Sequence, residues 1–303
     1  VTMKILVTGG TGFLGRHLVK KISSENSEVF ISNTKNGNLY NYEGFSNCFE
    51  DIKFDYIYHL AAKTKAGDYC LTHKGEQWID NQLLNTNILR YWVEKQSQAK
   101  IIAMGTSCMF EPSDKPLEEK DCLIGDPDEG LATYAYTKRM LLIGLQSISE
   151  QYGLEYTYFI PSTLYGTDFD LNDSHFIFDL VKKIYNGKYY GDDVILWGDG
   201  HQRRELIFID DVVKMMWDLR DEKNEIINLG SGVDNSIREF ASYVCKYTEY
   251  DESKIHYDIT KYVGANVKIM SPNKLKSYGF DFTSLDCGIE KIVNYYSDRR
   301  NSI

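Results

Sequence analysis

The chain has 303 residues, of which 43% are hydrophobic and 14% aromatic, so it can bury the core of one large or two coupled globular domains. Acidic residues number 44 against 34 lysines and arginines, and the net charge of −10 argues against non-specific binding of nucleic acid. None of the six cysteines has the spacing of a metal site or a disulfide framework, so we expect no metal and a reducing, cytoplasmic environment. We find no signal-peptide pattern and no membrane-spanning run, so we expect no membrane association.

Apolar runs of strand length alternate with helical patterns through the first half of the chain. This alternation predicts a doubly wound parallel sheet in an α/β fold. Past residue 161 the pattern loosens, and we predict two more strands that return to the sheet. The predicted strands cover 4–9, 28–32, 55–62, 100–105, 155–161, 204–211 and 225–232, and the predicted helices begin near Phe13 or cover about 76–95, 132–151 and 175–186.

A glycine-rich loop, GGTGFLG (9–15), follows the first predicted strand and opens the first helix. Its glycines Gly9, Gly12 and Gly15 allow a tight turn and a close backbone approach to a pyrophosphate, while the helix N-terminus favours the anion. The alternative is a glycine-rich turn that binds nothing. The strand–loop–helix setting favours a dinucleotide cofactor.

The end of the second predicted strand indicates which dinucleotide is bound. An acidic residue there would bind the ribose 2′-hydroxyl of NAD. The sequence instead reads Asn33-Thr34-Lys35, with no carboxylate before Glu43. An ammonium group and polar donors can hold a 2′-phosphate, so we predict NADP, although a solvated Lys35 would fit the same sequence.

Tyr134 and Lys138 lie four residues apart on a predicted helix, which places them on one face. An unperturbed tyrosine titrates near 10, and a nearby ammonium group stabilises the phenolate, so we expect Lys138 to lower the pKa of Tyr134. Tyr134 would then exchange a proton with a carbonyl or alcohol oxygen while a nicotinamide exchanges hydride. The hydroxyls of Thr106 and Ser107, at the end of another predicted strand, could also bind the substrate oxygen.

The glycine loop, the strand-end hydroxyl and the Tyr-x-x-x-Lys pair together resemble the extended short-chain dehydrogenase/reductases. More narrowly, the chain is similar to the GDP-L-fucose synthase family, and this similarity runs through most of its length. The matching stretches are AAK (61–63), GTSCMF (105–110), YAYTK (134–138), PSTLYG (161–166), SH (174–175), LWGDG (196–200), RELIFIDD (204–211) and INLGSGVDNSIRE (227–239).

The resemblance implies an acid–base pair. In that family a cysteine after the strand-end hydroxyls and a histidine in a later Ser-His motif carry protons at the carbons beside a sugar ketone. The positions here are Cys108 and His175, with Thr106 as the catalytic hydroxyl and Ser107 beside it. Thiol and imidazole titrate near enough to neutrality for this work. Without the resemblance, a lone cysteine here would be interpreted as core packing.

The resemblance also implies binding residues for both ligands. Arginine's planar fork suits phosphate oxygens, which makes Arg204 the best candidate for the substrate diphosphate. The nucleotide-sugar residues are Lys183, Trp197, Arg204 and Lys268. The NADP residues are Gly9, Thr11, Gly12, Phe13, Leu14, Gly15, Asn33, Thr34, Lys35, Leu60, Ala61, Ala62, Lys63, Tyr134, Lys138, Pro161, Thr163, Leu164 and His175.

The sequence departs from the family pattern in three places. The loop 64–78 lacks the family's Gly- and Asn-rich composition, which leaves open whether the sugar is a deoxyhexose or a heptose. Thr163 replaces the usual Asn. Thr11 stands where some relatives have Arg, so the 2′-phosphate contact must rest on residues 33–35.

The implied activity is an NADPH-dependent epimerisation and reduction of a GDP-linked 4-keto-6-deoxy sugar. Two alternatives remain: a 4-keto reductase without epimerisation, and a non-catalytic dinucleotide-sensing protein on the same fold. A 4,6-dehydratase is disfavoured, because Ser107-Cys108 stands where those enzymes carry Asp-Glu.

The implied architecture is a Rossmann-type sheet with a smaller mixed α/β lobe. We predict that residues 1–165 plus about 205–235 form the NADP-binding domain. Residues 166–204 plus 236–303 would form the nucleotide-sugar-binding lobe. The apolar faces of the helices at 76–95 and 132–151 are expected to make a homodimer, as in relatives.

Overall fold

In the computed structural model, the residues that the structure describes are 2–65, 69–261, 263 and 268–302. The strands are β1 (Met3–Thr8), β2 (Ser27–Ser32), β3 (Tyr56–His59), β4 (Lys100–Met104), β5 (Tyr156–Pro161), β6 (Thr163–Tyr165), β7 (Ile195–Trp197), β8 (Arg203–Arg204), β9 (Leu206–Phe208), β10 (Glu225–Leu229), β11 (Asn235–Ser236) and β12 (His256–Asp258). The helices are α1 (Phe13–Ser23), α2 (Tyr42–Cys48), α3 (Tyr69–Thr72), α4 (Lys74–Lys95), α5 (Ala132–Tyr152), α6 (Phe176–Tyr190), α7 (Ile209–Asp218), α8 (Ile237–Thr248), α9 (Asn273–Ser277) and α10 (Leu285–Asn301). Short 3-10 helices cover Ser107–Met109, Glu119–Asp121 and Glu252–Lys254.

The central sheet has the strand order β10-β5-β4-β3-β1-β2, and every pair is parallel. Its middle strands are apolar runs that are fully buried, such as Ile5–Val7 and Ile101–Ala103. A parallel sheet covered on both faces requires such continuous apolar strands, which is why they lack an alternating pattern. The predicted α/β fold with a doubly wound parallel sheet is confirmed.

The chain forms two compact units. The first comprises 1–111, 119–161 and 212–229 and contains the central sheet, and the second comprises 112–118, 162–211 and 230–303. Residues 162–165, 205–211 and 230–235, which the sequence-based boundaries put in the first domain, belong to the second unit.

The segment 204–211 does not return to the central sheet as a strand, so that prediction is wrong. Within it, β8 pairs antiparallel with β11, β9 pairs parallel with β6, and α7 has already begun at Ile209. The apolar residues Ile209, Val212, Val213 and Met216 recur at helical spacing, and two acidic residues fall in the first turn of α7. Of the predicted run 225–232, Glu225–Leu229 joins the sheet as β10 at its edge beside β5, whereas residues 230–232 lie beyond the strand.

Close backbone contacts require glycine at two positions of the glycine loop. Gly9 has a φ of 70°, and a Cβ there would lie 2.7 Å from the Ala61 nitrogen. A Cβ on Gly15 would lie only 2.1 Å from the Gly9 carbonyl oxygen. These glycines therefore let α1 approach the ends of β1 and β3 at backbone distance.

We predict that Gly15→Ala lowers the stability of the protein by about 1–3 kcal/mol or more, because the new methyl group meets backbone that cannot move away. Gly75→Ala is the matched control, since a Cβ at that helical position has nothing within 4 Å. Alanine should there be neutral or stabilising by up to about 1 kcal/mol. Urea unfolding midpoints of the two variants measure the difference, and equal midpoints would contradict this explanation of the loop.

Candidate active site

The glycine loop lies at the carboxyl edge of the central sheet, where doubly wound sheets bind their ligands. Gly12 caps α1 with an extended backbone, and its nitrogen donates to the Gly9 carbonyl over 3.1 Å. The N-terminus of α1 begins at this turn and favours an anion there. The loop with Thr11, together with Phe13 and Leu14 in the first turn of α1, therefore fits the diphosphate of a dinucleotide.

The loop after β2 is a tight turn organised by Asn33. Its side-chain oxygen accepts hydrogen bonds from the backbone nitrogens of Lys35 over 2.8 Å and Asn36 over 2.9 Å. The side chains of Thr34 and Lys35 are exposed on this turn. Two of the three predicted 2′-phosphate contacts are thus accessible, while the Asn33 oxygen holds the turn together.

The segment after β3 is fixed by backbone and amide hydrogen bonds. The nitrogen of Leu60 donates to the Thr8 carbonyl over 3.1 Å, and that of Ala61 donates to Thr8 Oγ1 over 3.2 Å. Asn81 on α4 accepts from the Lys63 nitrogen over 2.8 Å and donates to the Lys63 carbonyl over 2.9 Å. The predicted cofactor residues 60–63 are therefore held beside the glycine loop.

Tyr134 and Lys138 lie on the first turns of α5, as the spacing predicts. The Lys138 ammonium lies 5.8 Å from the centre of the Tyr134 ring. Thr137 donates from its hydroxyl to the Tyr134 carbonyl over 2.7 Å, and the Tyr158 hydroxyl donates to the Lys138 carbonyl over 2.9 Å. Buried neighbours therefore hold this turn by its backbone.

Burial controls the acid–base properties of this pair. It lowers the pKa of Lys138 to about 8, and it raises the pKa of Tyr134, to which the Cys108 and Cys70 thiols also contribute. The expectation that Lys138 lowers the tyrosine pKa is therefore wrong for the protein alone, because desolvation outweighs an ammonium group that lies over the ring. Tyr134 stays protonated at neutral pH, which is the state that a proton donor needs.

The Thr106–Cys108 segment follows β4 as a short helical turn against α5. Thr106 Oγ1 accepts a hydrogen bond from the Cys108 nitrogen over 3.3 Å, and the Cys108 side chain is partly exposed. A Cβ on Gly105 would lie 2.7 Å from the Tyr158 ring, so the same tyrosine positions this segment and the α5 turn. The first unit thus brings Thr106, Ser107 and Cys108 to the α5 turn.

His175, in the second unit, caps the start of α6, and its side chain is 53% exposed. Its Nδ1 lies 2.6 Å from Asp173 Oδ1, which also accepts from the His175 backbone nitrogen over 2.8 Å. Although burial opposes it, the bonds from His175 hold the pKa of Asp173 below its ordinary value. Since the carboxylate accepts from Nδ1, the basic nitrogen of a neutral His175 is Nε2. Sequence analysis missed Asp173, although its Asp-x-His spacing was visible.

The predicted nucleotide-sugar residues also lie in the second unit. Arg204 donates to the carbonyls of Arg203 over 2.7 Å and Val263 over 2.6 Å. Lys183 pairs with Asp179 over 2.9 Å, one helical turn away. Trp197 is 56% exposed, and Lys268 is half-buried. Pro161 ends β5 of the first unit, and Thr163 and Leu164 form β6 of the second.

Glu205 is a second residue that sequence analysis missed. It is buried beside Arg204, and its carboxylate accepts from the backbone nitrogens of Met270 over 2.7 Å and Gly232 over 2.8 Å. Burial raises its pKa to about 7 despite these bonds. Its contacts tie the strand that carries Arg204 to the segment that follows Lys268.

Across residues 2–65, 69–261, 263 and 268–302, no cluster of three or more His, Cys, Asp or Glu side chains could hold a metal ion. Within those same ranges, no helix combines the length and the apolar character needed to cross a bilayer.

His59, at the end of β3, is a third residue that sequence analysis missed. It is fully buried between Thr8 Oγ1, 2.8 Å from its Nδ1, and Asn85 Oδ1, 3.0 Å from its Nε2. Burial lowers its pKa from 6.5 to about 4. His59 therefore becomes protonated near pH 6.5 in the unfolded chain, but only near pH 4 in the folded protein.

We predict that His59 makes the protein less stable as the pH falls from about 6.5 toward 4. Relative to His59→Gln, which has no imidazole to protonate, the native protein should lose about 2 kcal/mol between pH 7 and pH 5. Glu205 has the opposite effect, because its raised pKa lowers the stability of the protein as the pH rises through the same window. Since His59→Gln retains Glu205, the comparison between the two proteins removes that contribution. Urea unfolding at several pH values measures the difference, and parallel curves would contradict a neutral buried His59.

The family model described as "NAD dependent epimerase/dehydratase family" matches residues 5–230. A GDP-L-fucose synthase of Dictyostelium discoideum is 28% identical over 306 residues, covering 97% of this chain and 95% of the relative. A GDP-L-colitose synthase of Yersinia pseudotuberculosis is 26% identical, covering 99% and 100%. A GDP-L-fucose synthetase from Naegleria fowleri bound to NADP is 25% identical, covers 99% of this chain and 94% of that chain, and superimposes with a TM-score of 0.88. Since the family model spans most of the chain, this protein belongs to the NAD-dependent epimerase/dehydratase family.

Proposed function

We propose that the protein is an NADPH-dependent epimerase–reductase of a GDP-linked 4-keto-6-deoxy sugar. The observation that carries this proposal is the first unit's combination of the glycine loop, the Tyr134–Lys138 turn and the Thr106–Cys108 segment at one edge of the sheet. The relatives named GDP-L-fucose synthase and GDP-L-colitose synthase support the GDP-linked substrate. The neighbour bound to NADP supports the cofactor.

NADPH would be held by the glycine loop at its diphosphate and by residues 33–35 at its 2′-phosphate. Segment 60–63, Pro161 at the end of β5, and Thr163 and Leu164 in β6 would line the rest of the cofactor. When bound, it supplies the hydride that reduces the sugar C4 carbonyl. Tyr134 would donate a proton to the resulting alkoxide, assisted by the Thr106 hydroxyl, and Lys138 would stabilise the phenolate that remains.

Cys108 and His175 would serve as the acid–base pair of the epimerisation. The C4 ketone acidifies the hydrogens at C3 and C5, so a base can remove one of them to give an enolate. Delivery of a proton to the opposite face then inverts the centre, which is why two groups are needed. Asp173 would fix the imidazole so that Nε2 of His175 exchanges the proton.

The nucleotide part of the substrate would be bound by the second unit. Arg204 would contact the diphosphate, since its guanidinium is held by backbone carbonyls that leave it positively charged. Trp197 presents an exposed ring for a base or ribose. Lys183 and Lys268 would add positive charge to this otherwise acidic protein.

We also propose that the protein is a homodimer through α4 and α5. These helices pack together and expose a set of large apolar side chains, which a second copy of the same face would bury. Light scattering should report a dimer, Met140→Glu should give a monomer, and the control Tyr190→Glu should remain dimeric. The exposed apolar side chains are Trp78, Ile79, Leu83, Tyr136, Met140 and Ile143.

A cytoplasmic role in polysaccharide biosynthesis is the setting that we propose for this enzyme. All six cysteines are free, which suits a reducing compartment. The product would be a nucleotide-activated deoxysugar, the form that a glycosyltransferase consumes.

We predict that product formed in D2O carries solvent deuterium at C3 and C5, because each inverted carbon passes through an enolate. Cys108→Ser should abolish this exchange while leaving the reduction of an already epimerised ketone largely intact. Cys287→Ser, which alters another partly exposed cysteine, is the control and should behave as the native protein. Mass spectrometry and NMR of the product measure both steps.

Each other outcome of this experiment has a definite meaning. Product without deuterium from the native protein would replace the proposal with a 4-keto reductase that does not epimerise. Equal loss of both steps in Cys108→Ser would refute the assigned role of the thiol. No turnover of any ketosugar, with NADPH still bound, would favour the dinucleotide-sensing protein.

A further inference from the structure

A chain of buried hydrogen bonds runs beneath the site, from the end of β1 to the catalytic turn of α5. Thr8 ends β1 and lies 2.8 Å from His59, which ends β3. His59 lies 3.0 Å from Asn85 on α4, and Asn85 Nδ2 donates to the Thr137 carbonyl on α5 over 3.2 Å. Thr137 stands between Tyr134 and Lys138, so the chain joins the glycine-loop edge to the acid–base turn.

The donors and acceptors in this chain allow one arrangement. A carbonyl only accepts, so the Asn85 amide group must face Thr137 and its Oδ1 must face His59. His59 therefore carries its proton on Nε2 and accepts on Nδ1 from the Thr8 hydroxyl. That hydroxyl accepts in turn from the Ala61 nitrogen over 3.2 Å, so every member is satisfied.

Burial keeps this arrangement intact. Thr8, His59 and Thr137 are fully buried, and Asn85 is almost so. Water therefore does not compete for their hydrogen bonds, and an unpaired member would cost about 1–3 kcal/mol. The lowered pKa of His59 keeps the ring neutral, so a single tautomer persists through the neutral range.

We propose that His59 and Asn85 are positioning residues that hold the Tyr134–Lys138 turn in register with the cofactor-binding edge of the sheet. This inference rests on the proposed function, because Tyr134 and Lys138 act on the reacting atoms only in that scheme. Neither His59 nor Asn85 is assigned contact with substrate or cofactor. They act through the Thr137 carbonyl on one side and through Thr8 and Ala61 on the other.

Two substitutions at His59 separate the two arms of the chain. In His59→Asn, the amide oxygen can replace Nδ1 and accept from Thr8, whereas the bond to Asn85 is lost. We expect kcat to fall at least about tenfold, since small misplacements of catalytic groups cost up to about a hundredfold, while the Kd of NADPH changes less than about twofold. In His59→Gln, the amide nitrogen can replace Nε2, so the Kd of NADPH should rise several-fold and kcat should change less.

Asn85→Ala tests the other residue of the proposal, and Asn87→Ala is its matched control. Both residues are buried amides on α4, but Asn87 donates to the Leu39 carbonyl over 2.8 Å, outside the chain. Both variants should lose comparable stability. Only Asn85→Ala should lower kcat, and the Kd of NADPH should not change to a matching extent.

Nitrogen NMR of the histidine rings tests the chain without any turnover. The native protein should show a neutral His59 protonated on Nε2 from pH 5 to pH 8, and this signal should be missing in His59→Gln. A different tautomer of His59 would overturn the proposal. So would His59 variants in which kcat and the Kd of NADPH change in the same proportion, because these hydrogen bonds would then contribute only to core packing. If the native protein reduces no ketosugar, the proposed function fails. The tautomer of His59 and the NADPH affinities of the variants still decide whether the series of hydrogen bonds from Thr8 to Thr137 exists.

Discussion

The carboxyl edge of the central sheet imposes the constraint on which the site depends: polar groups buried there must all find partners. Thr8 and His59 end neighbouring strands in the interior, where an unpaired hydroxyl or imidazole would be costly. Thr8 and His59 pair with each other, and His59 also pairs with Asn85 on α4, whose amide nitrogen donates to the Thr137 carbonyl on α5. Satisfying these groups therefore also fixes where the two helices lie against the sheet. The same requirement is met by Tyr158, which holds the Lys138 carbonyl. The position of the Tyr134–Lys138 turn in the first unit is therefore a by-product of pairing these buried polar groups.

Burial also sets the protonation states on which the proposed chemistry relies. Burial raises the pKa of Tyr134 further above neutrality, so Tyr134 is a phenol at neutral pH, and the same cause lowers the pKa of Lys138 to about 8. In the second unit, Asp173 holds His175 by Nδ1 at an exposed position. The two groups proposed as the acid–base pair thus differ in environment: the Cys108 thiol is partly exposed, and the His175 imidazole is oriented by a carboxylate.

Local patterns in the sequence predicted much of the fold, since they depend on neighbours along the chain. The glycine loop, the buried strands and the Tyr134–Lys138 spacing all follow from short-range geometry. The prediction for segment 204–211 was wrong because its apolar run suits both a strand and a helix. The helical spacing of the apolar residues beyond this segment is what favours α7. The short helix α2, with only seven residues, gave too little periodicity to detect.

Two of the residues that were missed, His59 and Glu205, depend on contacts between distant parts of the polypeptide. His59 lies 51 residues from Thr8 and 26 from Asn85, and Glu205 lies 65 from Met270. Nothing near any of these positions in the sequence signals its partner. Sequence analysis also assumed that Lys138 governs Tyr134, because desolvation cannot be estimated without knowing what surrounds the hydroxyl.

The function proposed for this protein is the reduction of a GDP-linked ketosugar with NADPH. Its most direct test is the initial rate of NADPH oxidation by the purified protein, measured with GDP-, dTDP- and UDP-linked 4-keto-6-deoxy sugars and repeated with NADH. We expect turnover with a GDP-linked sugar and a clear preference for NADPH. Oxidation with only a dTDP- or UDP-linked sugar, or equal use of NADH, would contradict it.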